Sequence, residues 1–172
     1  AQSLRRLLRR RFGHCVRGWR EAVDLHRAHC IGRSHFFQAL RRIGFTDSQR
    51  AWDELTMGKK SQVTLSDLDD GAAKLLSEFY SDFTKTVGSI HDLTAWSESL
   101  RIKFPDFLEQ CEPMEPELPS EKAKLKAVFT ILSGGTGRLT ADDCVWLEDF
   151  CSHRPSKRAS VSSDEEEPTR SV

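Results

Sequence analysis

The chain reads as an all-α fold of four helix–loop–helix units in two pairs, the facing loops joined by short β bridges. Three observations lead there. Apolar residues recur every three or four positions from Leu4 to Phe150, the period of a helix with one buried face. Between Arg50 and Phe79 one such stripe (Ala51, Trp52, Leu55) is cut by a polar loop, Thr56 to Asp67, and resumes with Leu65, Leu68, Ala72, Leu75, Leu76 and Phe79. A lone β-branched residue, Val63, stands in the eighth place of that loop, and Ile31, Ile102 and Leu139 hold the equivalent place in three further units. An even count is expected, because a single unit leaves its apolar face bare.

Taken in order, residues 3–23 predict a long first helix with Leu4, Leu7, Leu8, Phe12, Cys15, Val16 and Trp19 on one face. Arg5, Arg6, Arg9, Arg10 and Arg11 occupy the other, which reads first as a solvated charge face. The sharper reading is a basic helix for a partner protein or an anionic membrane surface. Nucleic acid is disfavoured, because the aromatics that stack bases are not interleaved with these arginines. Residues 24–35 break the pattern, and FFQALRRIGF resumes it up to Gly44. After the central loop the helix continues through Thr86, and Gly88 bends the chain before Ile90–Trp96. Ser97 to Arg101 reads as a turn, and Ile102, Phe104, Phe107 and Leu108 open the next helix. A Pro-rich linker (residues 111–120) ends at Ser120, a cap for the helix of Leu125, Val128, Phe129 and Leu132. The last helix opens at Thr140-Ala-Asp-Asp and runs through Phe150. The units divide as a basic extension (1–11), a first pair (12–80), a second pair (81–153) and a tail (154–172) too polar to fold.

Composition bounds the class. With 172 residues, 38% apolar and 30% charged, the chain can bury a real core and offers no membrane span. No signal peptide opens it, and a start at Ala1 points to processing or a cut from a longer chain. Five cysteines without a CxxC pair suggest reduced thiols and a cytoplasmic setting, with Cys15, Cys111, Cys144 and Cys151 in the core. The net charge of zero hides an asymmetry. Residues 1–45 hold eleven arginines against Glu21 and Asp24, so an anionic partner would meet that end.

A helix, a 12-residue loop and a second helix form the outline of an EF-hand. Arg41 to Phe45 (RRIGF), Trp52 to Leu55 (WDEL) and Thr64 to Phe79 (TLSDLDDGAAKLLSEF) carry a closer likeness. Over about residues 12–150 the chain resembles calmodulin-like four-hand proteins, and more closely the hands of large dinoflagellate EF-hand proteins. The resemblance implies the fold, in which the eighth loop residues of paired hands bridge and set Ile31 against Val63 and Ile102 against Leu139, with calcium as the family's usual ligand.

The loops carry the wrong atoms for that ligand. Calcium takes six to eight oxygens, with acids or amides at the first, third and fifth positions and a bidentate carboxylate at the twelfth. Loop one supplies Asp24, His26, Ala28 and His35, with His29 where Gly makes the sharp turn. Loop two supplies Thr56, Gly58, Lys60 and Asp67, placing an ammonium in a cation site. The third unit has too few residues between Trp96 and Ile102 for a full loop. Loop four, SGGTGRLTADD, keeps Asp143 and is the best of them for a residual calcium site. Asp24, His26 and His35 together, with His29 and Cys30 beside them, would suit zinc or copper better than calcium. Their bland alternative is a set of ordinary polar loop residues.

Other chemistry is thin. Gly134–Gly137 lacks the following Lys of a phosphate loop, and nothing pairs a histidine with a nucleophile, so no enzyme and no resident cofactor is expected. In the tail, Ser160 follows a basic run and Ser162 and Ser163 precede an acidic one, as in kinase sites. The expected function is a calcium-independent interaction or scaffold module, holding a protein partner by an apolar cleft or by the basic first helix. The alternatives are a calcium sensor or buffer with one residual site, and a transition-metal site in loop one.

Overall fold

The computed structural model describes residues 1–95, 101–114 and 119–153. These are mostly helical, with two small antiparallel sheets. The first half comprises α1 (Gln2–Phe12), α2 (Cys15–Gly18) running into a π turn (Trp19–Val23), β1 (Cys30–Gly32), α3 (Arg33–Arg42), α4 (Ser48–Thr56), β2 (Gln62–Thr64) and α5 (Leu65–Leu68). The long helix α6 (Asp70–Thr86) leads to α7 (Asp92–Ala95), β3 (Arg101–Ile102), α8 (Phe104–Gln110), a 3₁₀ turn (Glu112–Met114), α9 (Pro119–Leu132), β4 (Leu139–Thr140) and α10 (Ala141–Ser152). Strand β1 pairs with β2 and β3 with β4, in the register expected from the sequence: Ile31 faces Val63 and Ile102 faces Leu139. All four bridge residues are buried, so each bridge is also a point of core packing.

The first helix is shorter than its periodicity predicts. Gly13 stops α1 with φ +78°, its N–H bonded to the Arg9 carbonyl, and a Cβ at this position would meet the Gly134 carbonyl oxygen at 2.6 Å. His14 then starts α2 by accepting the Val16 N–H on Nδ1 at 3.2 Å. The stripe carries across the break because α1 and α2 both turn their apolar sides to one core, where Leu4, Leu8, Cys15, Val16 and Trp19 are buried.

A second break falls at Asp69, inside the stretch expected to be continuous helix. Asp69 leaves helical geometry (φ −150°, ψ 80°) and caps α6 by accepting the Ala72 N–H at 3.3 Å. The carbonyls freed at the end of α5 are taken by Arg5, whose guanidinium donates to Leu68 and, at 3.4 Å, to Asp67. Arg9 lies 3.7 Å from the Asp69 carboxylate, and Arg11 donates to the Ile43 carbonyl at 2.6 Å. The arginine face is therefore not simply solvated: Arg5, Arg9 and Arg11 fasten α1 to its neighbours, and Arg6 and Arg10 remain exposed.

One apolar cluster runs through both halves. Phe36 and Trp52 join α3 to α4 with ring centroids 5.5 Å apart. Phe107 touches Phe79 of α6 at 5.7 Å and Phe129 of α9 at 5.4 Å, so α6, which passes through the boundary expected at residue 80, carries side chains for both halves. Of the five cysteines, Cys15, Cys111 and Cys144 are buried, Cys151 is half-buried and Cys30 exposed. Burial pushes the Cys111 thiol up to about 12. Among the described residues no helix is long and apolar enough to cross a membrane.

Candidate functional site

The four bridge residues place one side chain in the same position each time. Four residues beyond Ile31, Val63, Ile102 and Leu139 stand His35, Asp67, Asp106 and Asp143, each third in the helix that follows its strand. In three of the four a carboxylate turns back on the residue before the helix. Asp67 accepts the Thr64 N–H and the Thr64 hydroxyl, both at 2.9 Å. Asp143 does the same with Thr140, at 2.8 and 2.9 Å. Asp106 accepts the Lys103 N–H at 3.2 Å. These are helix N-caps, and they consume one oxygen of each carboxylate.

In loops two and four the other oxygen is neutralised from within the chain. In loop two the Lys60 ammonium bonds Asp67 Oδ1. In loop four Arg20 Nη1 lies 2.8 Å from Asp143 Oδ1, and the same nitrogen donates to the Leu132 carbonyl at 3.2 Å. The Arg20 guanidinium also stands 4.7 Å over the Trp146 ring and 3.6 Å from Asp142. Arg27 takes up Asp142 from a second direction and reaches Asp149 at 3.8 Å. Arg20 is 11% exposed and Asp143 14%, so this pair sits where a charge needs its partner.

Loop one has no internal cation at its buried acid. Asp24, 2% exposed, accepts the Ala28 N–H on Oδ1 and the His29 N–H on Oδ2, both at 2.8 Å. It acts as a brace for the turn in which Arg27 and His29 have positive φ. His26 and His35 are exposed. The structure thus does not gather Asp24, His26 and His35, and among the described residues no group of three or more His, Cys, Asp or Glu side chains is placed to hold a metal ion.

Loops one and two and the end of α10 border a half-open cavity of about 780 Å³, lined among others by His29, Cys30, Lys60, Asp67, Phe150 and His153. Asp67 and Asp143 carry a local signal, the T-x-x-D spacing of Thr64–Asp67 and Thr140–Asp143, whereas Asp106 follows Lys103 and lacks it. Arg20 carries none, since its Leu132 partner lies 112 positions along the chain. His29 stands in glycine's place and beside the candidate ligands of loop one, and nothing local in the sequence signals its contact with His153. Trp96 and residues 97–100, and the serines Ser160, Ser162 and Ser163, lie outside the described residues. Comparison with protein-family models, with curated proteins and with solved structures returns no match to this chain.

Proposed function

We propose that this chain is a calcium-independent protein-interaction module, built from four degenerate EF-hand units and fitted to an acidic segment of its partner. One observation carries the reading. At the carboxylates of loops two and four the chain's own cations already stand, Lys60 on Asp67 and Arg20 on Asp143. A divalent ion would have to expel an ammonium or guanidinium and then hold it nearby, against direct repulsion. With no ion to bind, each pair keeps one state and presents its surfaces constitutively.

The surface that supports an acidic partner is the meeting of two helix ends. Arg6 and Arg10 are exposed on α1, and Arg41 and Arg42 are exposed at the end of α3. The Arg11 bond to Ile43 holds the two ends together. The apolar side of α1 is already used, with Leu4 and Leu8 fully buried, so α1 has little left to insert into a bilayer. Large exposed apolar side chains among the described residues are Leu25 and Met57, both in loops, which favours recognition by charge over an open apolar cleft.

Calorimetric titration of the full chain tests this. Millimolar calcium should give no heat, and a polyglutamate probe should bind and weaken with salt. Replacing Arg6, Arg10, Arg41 and Arg42 by Glu should lower that affinity about tenfold or more. Calcium heat with a gain in exposed apolar surface would turn the reading to a sensor. Equal polyglutamate affinity in the charge-reversed variant would overturn the surface, and preferential capture by phosphatidylserine vesicles would make the partner a membrane.

A further inference from the structure

His29 occupies a costly place in every respect. Its backbone sits at φ +59°, in the left-handed region that glycine enters freely and other residues seldom do. The residue is 8% exposed, and both Nδ1 and Nε2 are buried with no hydrogen-bond partner among the described residues. The ring stacks on His153 (centroids 5.3 Å, planes 22° apart) and lies 6.2 Å from Phe150. His153 is held in turn at the end of α10, its Nδ1 2.9 Å from the Asp149 carbonyl oxygen. The contact therefore joins the first loop to the last helix across one wall of the 780 Å³ cavity.

We infer that this stacked pair is a proton-sensitive latch: a neutral His29 holds the end of α10 against loop one, and a protonated His29 releases it and opens the cavity. A neutral imidazole tolerates an apolar seat against two rings, whereas an imidazolium has two N–H donors to satisfy and a charge to solvate. The charged groups around it are mixed. Asp24 and Asp149 favour a proton on the ring, while Arg27 and His153 oppose one. Across the cavity stand Lys59, Lys60, Asp67 and Asp70, together with the Cys30 thiol. Burial outweighs them all and holds the His29 pKa below its ordinary value. The sign follows. Released His29 takes up a proton at a higher pH than seated His29 does, so the latch is strongest above the ordinary histidine range. It weakens as pH falls through that range towards the seated value. The inference stands apart from the acidic-partner reading, since no residue of the arginine surface takes part.

Amide hydrogen exchange on the full chain, corrected for the intrinsic pH dependence of exchange, tests it. Protection at Leu147–Ser152 should fall about tenfold per pH unit below about pH 6.5, the slope for one proton linked to opening. His14 also has a lowered pKa, chiefly from burial, and its protonation would loosen the α2 cap, so the readout is kept to α10. In His29→Asn, where the side chain accepts a left-handed backbone and does not titrate, that slope should vanish. The same slope in His29→Asn, or pH-independent protection in the parent chain, would overturn the latch. Should His29→Asn not fold, His153→Ala decides: without its stacking partner the His29 ring should titrate, by NMR, nearer the ordinary range. An unmoved midpoint would overturn the inference equally.

Discussion

Loops two and four solve one problem with opposite reach. Each has a Thr–Asp cap at the start of its outgoing helix, and each leaves one carboxylate oxygen to be neutralised. Loop two uses Lys60, seven residues from Asp67 and 57% exposed. Loop four uses Arg20, drawn from the other end of the chain and almost buried. The first is a local repair that any loop could carry. The second makes the N-terminal segment part of the C-terminal unit, in keeping with α2 packing beside α9 as well as beside α1.

That contrast orders the expected effects. Arg20→Ala should cost the most, about 3 kcal/mol in urea unfolding, because it strands Asp143 beside Asp142 with its guanidinium partner gone. Thr64→Ala and Thr140→Ala should each cost about 1 kcal/mol, and by similar amounts, since the caps have the same geometry. A clear inequality would show that the loops differ in more than their cations. Lys60→Ala should cost least, about 0.5 kcal/mol, for a pair with one end in water. Double variants sharpen the point. Arg20→Ala with Thr140→Ala should depart from additivity by 0.5 kcal/mol or more, on the order expected for shared partners, because both act on Asp143. Arg20→Ala with Lys60→Ala should add; coupling there would mean that the two loops communicate.

Much of the fold was legible because its signals are short-range. The aliphatic residue recurring at Ile31, Val63, Ile102 and Leu139 marks the four bridge positions, and once the loops are paired a slip by one residue would turn it out to solvent. The breaks at Gly13 and Asp69 were not legible. Helical period continues through both, as two helices that face one core repeat the same apolar spacing whether or not the backbone between them is helical. The arginine run misled for a related reason: a solvated face and a face that caps another helix have the same composition. Only the Leu68 and Ile43 carbonyls distinguish Arg5 and Arg11 from Arg6 and Arg10. At loop one, spacing puts Asp24, His26 and His35 at ligand positions, whereas the Asp24 carboxylate accepts the Ala28 and His29 N–H groups.

The amino-acid pattern by itself determined the helical class and the poverty of oxygen ligands in the loops. Both depend on residues within one turn or one loop of each other, where backbone geometry dictates who meets whom. Tertiary structure alone decided that Arg20 answers Asp143, that Arg5 closes α5 and that His29 rests on His153. Those contacts join segments far apart in the chain. Their energy comes from burial, which removes the water that would otherwise satisfy each group and leaves it to whatever partner the packed core brings near.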